Sequence, residues 1–151
     1  MKGLHGAAGQ EVPASVDACM ALLAAVEDYP SWYPDVVRRI EVLDTSDEGL
    51  ATRVRATLHV AHGPVVRDFD LTMAVDVAPP TAVRLSRIAD GPSDREEFAV
   101  AWRIEDRGST WLGVELDANL AVPRLLPLGA VGEALARGFL LAAARALERS
   151  H

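Results

Sequence analysis

Residues 28–37 form one compact run of aromatic and proline residues, Asp28-Tyr29-Pro30-Ser31-Trp32-Tyr33-Pro34-Asp35-Val36-Val37. The run separates a short helical pattern from a long series of strand patterns. It holds both tyrosines and one of the three tryptophans of the chain. Pro34 excludes a continuous helix, because proline lacks a backbone N–H and clashes with the preceding turn. The run therefore predicts a broken helical bend whose rings either cap the core or close an apolar space beneath it.

The residues before the bend predict a short amphipathic helix. Pro13-Ala14-Ser15 precedes it, with Ser15 as candidate N-cap and Asp17 favourably placed in the first turn. One buried face follows from apolar residues at helical spacing, namely Cys19, Leu22, Leu23 and Val26. Because Cys19 is the only cysteine, an internal disulfide framework is excluded, which is typical of a reducing compartment.

From Val36 to about Leu120 the hydrophobic period changes to two, which predicts antiparallel strands joined by tight turns. One face of these strands is apolar throughout and the other carries Arg, Asp, Glu and Thr. The turns are expected at residues 44–49, 62–64, 90–93 and 106–109. A sheet with one apolar face needs a cover on that face, and the remaining C-terminal residues must supply it.

That cover is predicted to be a helix of about 25 residues from Leu125 to Ser150, roughly 37 Å long. Its apolar stripe consists of Leu128, Val131, Leu135, Phe139 and Ala142. Small residues at Gly132, Ala136 and Gly138 either leave room beneath the helix or permit close packing on the sheet. The fold class is therefore α+β, with two short helices after the first strand and a curved antiparallel sheet around a long C-terminal helix.

This element order, with Pro13-Ala14 before the first helix and Tyr29-Pro30-x-Trp32-Tyr33-Pro34-x-Val36-Val37 at the junction, resembles the START-like (SRPBCC) superfamily. It is most similar to the polyketide cyclase/dehydrase branch, which also includes coenzyme Q-binding and lipid-transfer members. The resemblance covers nearly the whole chain and implies a helix-grip fold enclosing an apolar cavity. Residues 1–151 are accordingly expected to form a single START-like ligand-binding domain. The resemblance supplies no fixed catalytic set, so the catalytic residues stay unknown.

Composition and charge exclude several classes of partner. The formal charge of −7 and the lack of a basic stripe argue against nucleic acid, which requires clustered Lys and Arg. No window approaches the length of a membrane span, and residues 1–6 have no signal-peptide pattern. His59-x-x-His62 lacks a third ligand nearby, so no metal and no cofactor are predicted. The protein is expected to be cytoplasmic, without stable membrane insertion, and a monomer or weak homodimer.

The candidate ligand-binding residues combine the bend with the inner faces of the sheet and the last helix. They are Trp32, Tyr33, Leu58, Leu71, Met73, Arg87, Glu96, Phe98, Trp102, Leu116, Leu135 and Phe139. Arg87 and Glu96 share the inner parity and flank a turn centred near residues 91 and 92, so they are predicted to pair directly across the strands. They either line the cavity mouth, where Arg87 could hold a carboxylate or phenolate, or reach past the sheet edge to solvent.

The sequence therefore predicts binding of a hydrophobic or amphipathic small molecule, such as a lipid, an isoprenoid or a polyketide-like aromatic. The first alternative is a cyclase or dehydratase, which needs an inward acid or base with a shifted pKa. Only Arg87, Glu96, Tyr29 and Tyr33 are candidates for that work. The second alternative is a protein-interaction module that uses the aromatic bend or Trp111, which is predicted to point outwards.

Overall fold

A computed structural model of the chain describes residues 2–62, 65–120 and 131–149. Its strands are β1 (Lys2–Val12), β2 (Val37–Thr45), β3 (Ala51–His62), β4 (Val65–Ala78), β5 (Ala82–Arg87), β6 (Glu97–Asp106) and β7 (Thr110–Leu120). Its helices are α1 (Val16–Ala24), α2 (Tyr29–Trp32) and α3 (Val131–Arg149), with a 3-10 turn at Val26–Asp28.

The strands form one curved antiparallel sheet in the order β1-β7-β6-β5-β4-β3-β2. Neighbours in the chain are neighbours in the sheet, except that β1 pairs with β7. The inner face predicted from the alternation is buried along every strand from β3 to β7, as shown by Val54, Met73, Leu85, Trp102 and Leu116. The α+β helix-grip fold expected from the sequence is confirmed.

Ser15 sets the start of α1, and Pro30 and Pro34 set the bounds of α2. Ser15 caps α1 as predicted, because its hydroxyl accepts a 3.0 Å hydrogen bond from the Ala18 backbone N–H. Pro30 lies at the start of α2, where its missing N–H costs nothing, and α2 ends at Trp32 before Pro34. The Tyr33 N–H still donates to the Tyr29 carbonyl at 2.8 Å. The bend is therefore a single helical turn that contains Pro30 and ends before Pro34.

Helix α3 covers the inner face and packs mainly against β1 and β7. Residues 125–130 and 150 of the predicted helix, including Leu128, lie outside the described residues. The buried stripe comprises Val131, Gly132, Ala136, Phe139, Leu140, Ala143, Ala144, Ala146 and Leu147. Leu135 and Ala142 lie at its margin and are only partly buried. The buried stripe is rotated relative to the predicted one, because α3 turns Gly132 towards β1 and packs closely there.

The closest approach of α3 to the sheet is made by two glycines. A Cβ added at Gly6 would overlap the Gly132 carbonyl and lie 2.6 Å from the Glu133 backbone nitrogen. A Cβ added at Gly132 would in turn overlap the His5 carbonyl. Gly132 therefore permits close helix–sheet packing, the second of the two roles that the sequence allowed for the small residues of α3.

Candidate functional site

Five aromatic rings connect the bend to both the sheet and α3. Trp32 lies 4.7 Å from Tyr29, 6.4 Å from Tyr33 and 6.4 Å from Trp102 of β6, measured between ring centroids. Phe139 of α3 lies 4.8 Å from Tyr33 and 6.1 Å from Trp102, both edge to face. These geometries are the favourable ones for aromatic pairs. The five residues are called the aromatic cluster below.

The two tyrosines of the aromatic cluster are buried and remain protonated. The Tyr29 hydroxyl donates a 2.7 Å hydrogen bond to the Leu23 carbonyl, and burial raises the pKa of Tyr29. Burial, with a smaller contribution from the Asp35 charge, raises the pKa of Tyr33 to about 12. The Tyr33 hydroxyl occupies the place that a side chain at Gly138 would take. Both phenols are thus hydrogen-bond donors at neutral pH rather than bases.

A small apolar void lies beside the aromatic cluster, between the sheet and α3. It is walled by Tyr29 and by four of the predicted residues, Leu58, Met73, Phe98 and Phe139, together with aliphatic side chains of β2, β3, β5 and β6. Its volume is about 20 Å³, which is room for about one water molecule. The continuous ligand-sized pocket that the sequence predicts is therefore not open among the described residues. A larger occupant requires the bend or α3 to move away from the sheet.

The other predicted apolar site residues surround this void at a greater distance. Leu71, Trp102 and Leu116 are buried in the main core without lining the void. Leu135 packs with Val60 and Val131 in a smaller cluster at the β1 side of α3. The structure thus brings Leu58, Met73, Phe98 and Phe139 together around the void. The other apolar candidates named here, Leu71, Trp102, Leu116 and Leu135, do not line it.

Sequence reasoning missed several residues that line the void. Ala56, Leu85 and Val100 share the inner parity of the predicted residues, so the alternation itself could have identified them. Tyr29 is different, because one helical turn between prolines has no period from which a ring direction can be read. Ile40 lies on β2, where register shifts interrupt the alternation.

The predicted pairing of Arg87 with Glu96 across the strands is wrong by two residues. Ser86 lies opposite Ala99, so the same register would place Phe98, not Glu96, opposite Arg87. Strand β6 begins only at Glu97, and residues 88–96 form an irregular loop. The irregular loop moves the centre of the turn away from the position that the alternation predicts.

The carboxylate that contacts Arg87 belongs to Asp94. The Arg87 Nη2 atom lies 2.7 Å from Asp94 Oδ2, while Nη1 donates to the Glu96 carbonyl at 2.9 Å. The Arg87 side chain is 9% exposed and also borders, with Asp90, a polar groove of about 410 Å³ that the outer faces of β2, β3 and β4 line. Arg87 does not line the void. The Arg87 guanidinium therefore stabilises the 88–96 loop, through Asp94 and the Glu96 carbonyl.

Asp94 is the centre of that loop. Its carboxylate accepts hydrogen bonds from the backbone N–H groups of Asp90 at 2.8 Å and Glu96 at 3.0 Å. The Arg87 guanidinium, followed by these two backbone donors, holds the pKa of the Asp94 carboxyl well below its usual range. A carboxyl with a lowered folded-state pKa stabilises the protein above its unfolded pKa, and this contribution is lost as the pH falls through the folded value.

We expect Asp94→Asn to lower the stability at pH 7, because the Arg87 guanidinium would keep no carboxylate at 2.7 Å. Below about pH 4, where an unfolded Asp protonates, the difference between the parent and Asp94→Asn should shrink. Urea unfolding at several pH values measures both effects. Asp90→Asn is the matched control and should cost less, since the Asp90 carboxylate is exposed and lies 3.6 Å from the Arg87 Nη2 atom. Equal losses in the two variants at pH 7 would contradict this assignment.

The described outer face holds Trp111 and two histidine–carboxylate pairs. Trp111 points outwards as predicted, but it is partly buried because its ring lies over Gly9 and Gly113 and under the Arg107 guanidinium, 4.4 Å from the ring centroid. His59 Nδ1 lies 2.6 Å from Asp68 Oδ1. The histidine–carboxylate pairs are exposed or partly exposed. Because Gly9, Gly113 and Arg107 cover its ring, Trp111 offers a partner less apolar surface than the sequence suggests.

One group on the outer face has the spacing of metal ligands. The ligand atoms of His5, Glu115 and Asp117 all lie within 4.8 Å of one another, and all three side chains are exposed. Asp117 stands directly opposite His5 in the register and raises its pKa by a 2.6 Å side-chain hydrogen bond. The His5–Asp117 hydrogen bond explains why these side chains lie close together, so their spacing needs no bound ion.

The interior is poor in acid–base groups. Among the described residues, none that is fully buried is acidic, basic or histidine. Tyr29, Tyr33 and Cys19 are the buried titratable groups, and burial raises the pKa of each. Of the described buried groups, only the Cys19 thiol and the two protonated tyrosines would be left for a cyclase or dehydratase reaction, and tyrosines are acids of low strength at neutral pH.

Comparison with known families gives one match that spans most of the chain. A family model described as "Polyketide cyclase / dehydrase and lipid transport" matches residues 12–148. No curated protein sequence matches the chain. None of the helices in the described part of the chain is long and apolar enough to cross a membrane.

Solved structures from several organisms share the fold. A START superfamily protein from Mycobacterium smegmatis is 18% identical with a TM-score of 0.73, covering 97% of this chain and 99% of that one. The ginseng major latex-like protein 151 from Panax ginseng is 11% identical with a TM-score of 0.67, covering 99% and 97%. The protein TTHA0849 from Thermus thermophilus is 13% identical with a TM-score of 0.69, covering 97% and 98%. At these identities the likeness establishes the fold alone.

Proposed function

The chain belongs to the polyketide cyclase/dehydrase and lipid transport family, and from this we propose that it binds a hydrophobic or amphipathic small molecule between the sheet and α3. A lipid, an isoprenoid or a polyketide-like aromatic has the required apolar surface. Residues 1–151 act as one ligand-binding domain in this proposal, and no acid–base reaction is included. The family and the fold support a hydrophobic ligand, whereas the ligand itself is our inference.

The observation that carries the proposal is the apolar void beside the aromatic cluster. Its walls come from the bend, five strands and α3, so it lies where the bend and α3 meet the sheet. All its lining residues are aliphatic or aromatic, as in sites for apolar ligands. A movement of the bend would enlarge this void without breaking any strand pairing.

We expect the bend to move more easily than the sheet. Its single helical turn is joined to α1 only through a 3-10 turn, and its three rings pack within the aromatic cluster. Elements held by side-chain packing and few backbone hydrogen bonds open at low free-energy cost. We therefore assign Trp32 and Tyr33 the role of a gate.

We assign roles to the other candidate residues by whether they line the void. Leu58, Met73, Phe98 and Phe139 would contact a ligand first, because they line the void already. Leu71, Trp102, Leu116 and Leu135 would be reached by a longer ligand that lifts α3. Arg87, at the end of β5, and Glu96, just before β6, stay candidates for contact at the rim.

Gly138→Ala tests the gate with little damage to the core. The new methyl group would displace the Tyr33 hydroxyl, while alanine favours the helix by up to about 1 kcal/mol over glycine. We expect stability near that of the parent and release of the neutral dye N-phenyl-1-naphthylamine about ten-fold faster, a change of about 1.4 kcal/mol. Stopped-flow fluorescence measures release, and urea unfolding measures stability.

Tyr33→Phe in the Gly138→Ala background is the matched control, because removing the hydroxyl oxygen relieves the overlap and should slow release again. Identical release rates in parent and Gly138→Ala would remove the gate. If the parent takes up no dye, and native mass spectrometry of protein purified from its host shows no bound small molecule, the binding function itself is wrong.

A further inference from the structure

Two indole N–H groups in the aromatic cluster have no hydrogen-bond partner within the described part of the chain. They belong to Trp32 and Trp102, and both nitrogens are buried. An indole N–H is a donor only, and a buried donor without an acceptor is a cost that native proteins rarely carry. The third buried unpaired atom, Asn119 Oδ1, shares the outward parity of Asp117 and lies apart from the cluster.

The two indoles stand together beside the void. Their ring centroids are 6.4 Å apart in an edge-to-face arrangement. Each touches a residue of the void wall, Trp32 with Tyr29 at 4.7 Å and Trp102 with Phe139 at 6.1 Å. The Trp102 indole is also close enough to the Tyr29 oxygen to lower the pKa of that hydroxyl against the larger effect of burial, but the geometry falls short of a hydrogen bond.

The surrounding chemistry restricts what these donors can receive. The Tyr29 hydroxyl is committed to the Leu23 carbonyl, so it adds no free proton. No fully buried described residue carries a charge, and Arg87 is already held by Asp94. A buried carboxylate would lack a cation and a buried ammonium would lack an anion, and either would be costly. A neutral oxygen acceptor is the group that fits two unpaired N–H donors.

We propose that Trp32 and Trp102 donate their indole N–H groups to a neutral acceptor oxygen, such as a ketone, quinone or ester carbonyl, on an otherwise apolar ligand. This deepens the proposed function and rests on it. The ligand class is thereby narrowed from any hydrophobic molecule to an apolar molecule with a carbonyl that lies against the aromatic cluster.

Two planar isosteres test the carbonyl directly. 2-Acetylnaphthalene carries a C=O where 2-isopropenylnaphthalene carries C=CH₂, so the ratio of their affinities isolates the acceptor. A net hydrogen bond to a buried donor corresponds to about a five-fold change in affinity. Trp32→Phe or Trp102→Phe should therefore lower the ketone-to-alkene affinity ratio about five-fold relative to the parent. Competition against the naphthylamine dye measures both affinities, and normalising to the parent ratio cancels the different hydrophobicity of the probes.

Trp111→Phe on the outer face is the control and should leave the ratio unchanged. A second readout is the infrared stretch of carbonyl-labelled 2-acetylnaphthalene, which should move to higher frequency when the bonded indole is replaced. If both probes bind and neither inner variant alters the ratio, the donor role is overturned; a fall with Trp111→Phe overturns it as well. Binding of neither probe by the parent would overturn the proposed function together with this inference. Trp32→Phe keeps the test valid if Trp102→Phe fails to fold.

Discussion

Gly6→Ala is expected to lower the free energy of unfolding by about 3 kcal/mol, the upper end of the usual cost of overpacking. Gly6 is buried on the inner face of β1, where α3 comes closest to the sheet. The added methyl group would meet the Gly132 carbonyl and the Glu133 backbone nitrogen. Backbone atoms cannot rotate away as the end of a long side chain can, so the start of α3 would have to lift from β1.

Gly3→Ala is the matched control for this prediction, since it makes the same change in the same strand. The nearest atom to its new methyl group would be the Ala118 carbonyl oxygen at 3.7 Å, an ordinary contact. We expect its stability to stay within about 0.5 kcal/mol of the parent. Chemical unfolding followed by circular dichroism compares the two. Similar stabilities for Gly6→Ala and Gly3→Ala would show that α3 does not rest on β1 in this way.

The faces of the strands could be predicted from the sequence because the signal is local. Leu58, Met73 and Leu116 alternate with polar residues over short distances, and a period of two assigns them to one face whatever the pairing partners are. The same holds for the Ser15 cap and for the helix break at Pro34, which depend on neighbours within a few residues.

The details of the site depend on contacts between distant residues, and the sequence alone could not supply them. The predicted partner of Arg87 is wrong because one irregular loop shifts the register by two residues. Trp111 points outwards as the alternation predicts. Its partial burial depends on Gly9 and Gly113, which only the pairing of β1 with β7 brings together. The size of the void depends on how closely several elements pack against one another, and no local pattern encodes it.

Phe139→Ala is expected to lower the free energy of unfolding by about 4 kcal/mol, within the range for large-to-small changes in cores. Phe139 is 3% exposed and packs edge to face against Tyr33 and Trp102, so truncation removes both ring contacts. The loss should be accompanied by weaker attachment of the bend, because Trp32 would be the one remaining ring partner of Tyr33. Chemical unfolding measures the loss.

The same variant decides whether the interior can accept a ligand. Phe139 borders the void of about 20 Å³, so its removal joins the ring's space to a void that already exists. An apolar cavity of that kind stays dry and binds small aromatic molecules, and a ligand that binds only the folded state raises stability. Benzene should therefore raise the melting temperature of Phe139→Ala more than that of the parent. Leu140→Ala, equally buried on α3 but not lining the void, should lose stability without this recovery. Equal recovery in both variants, or none in Phe139→Ala, would mean that the sheet and α3 collapse together, and then the void beside the aromatic cluster would not be the start of a binding site.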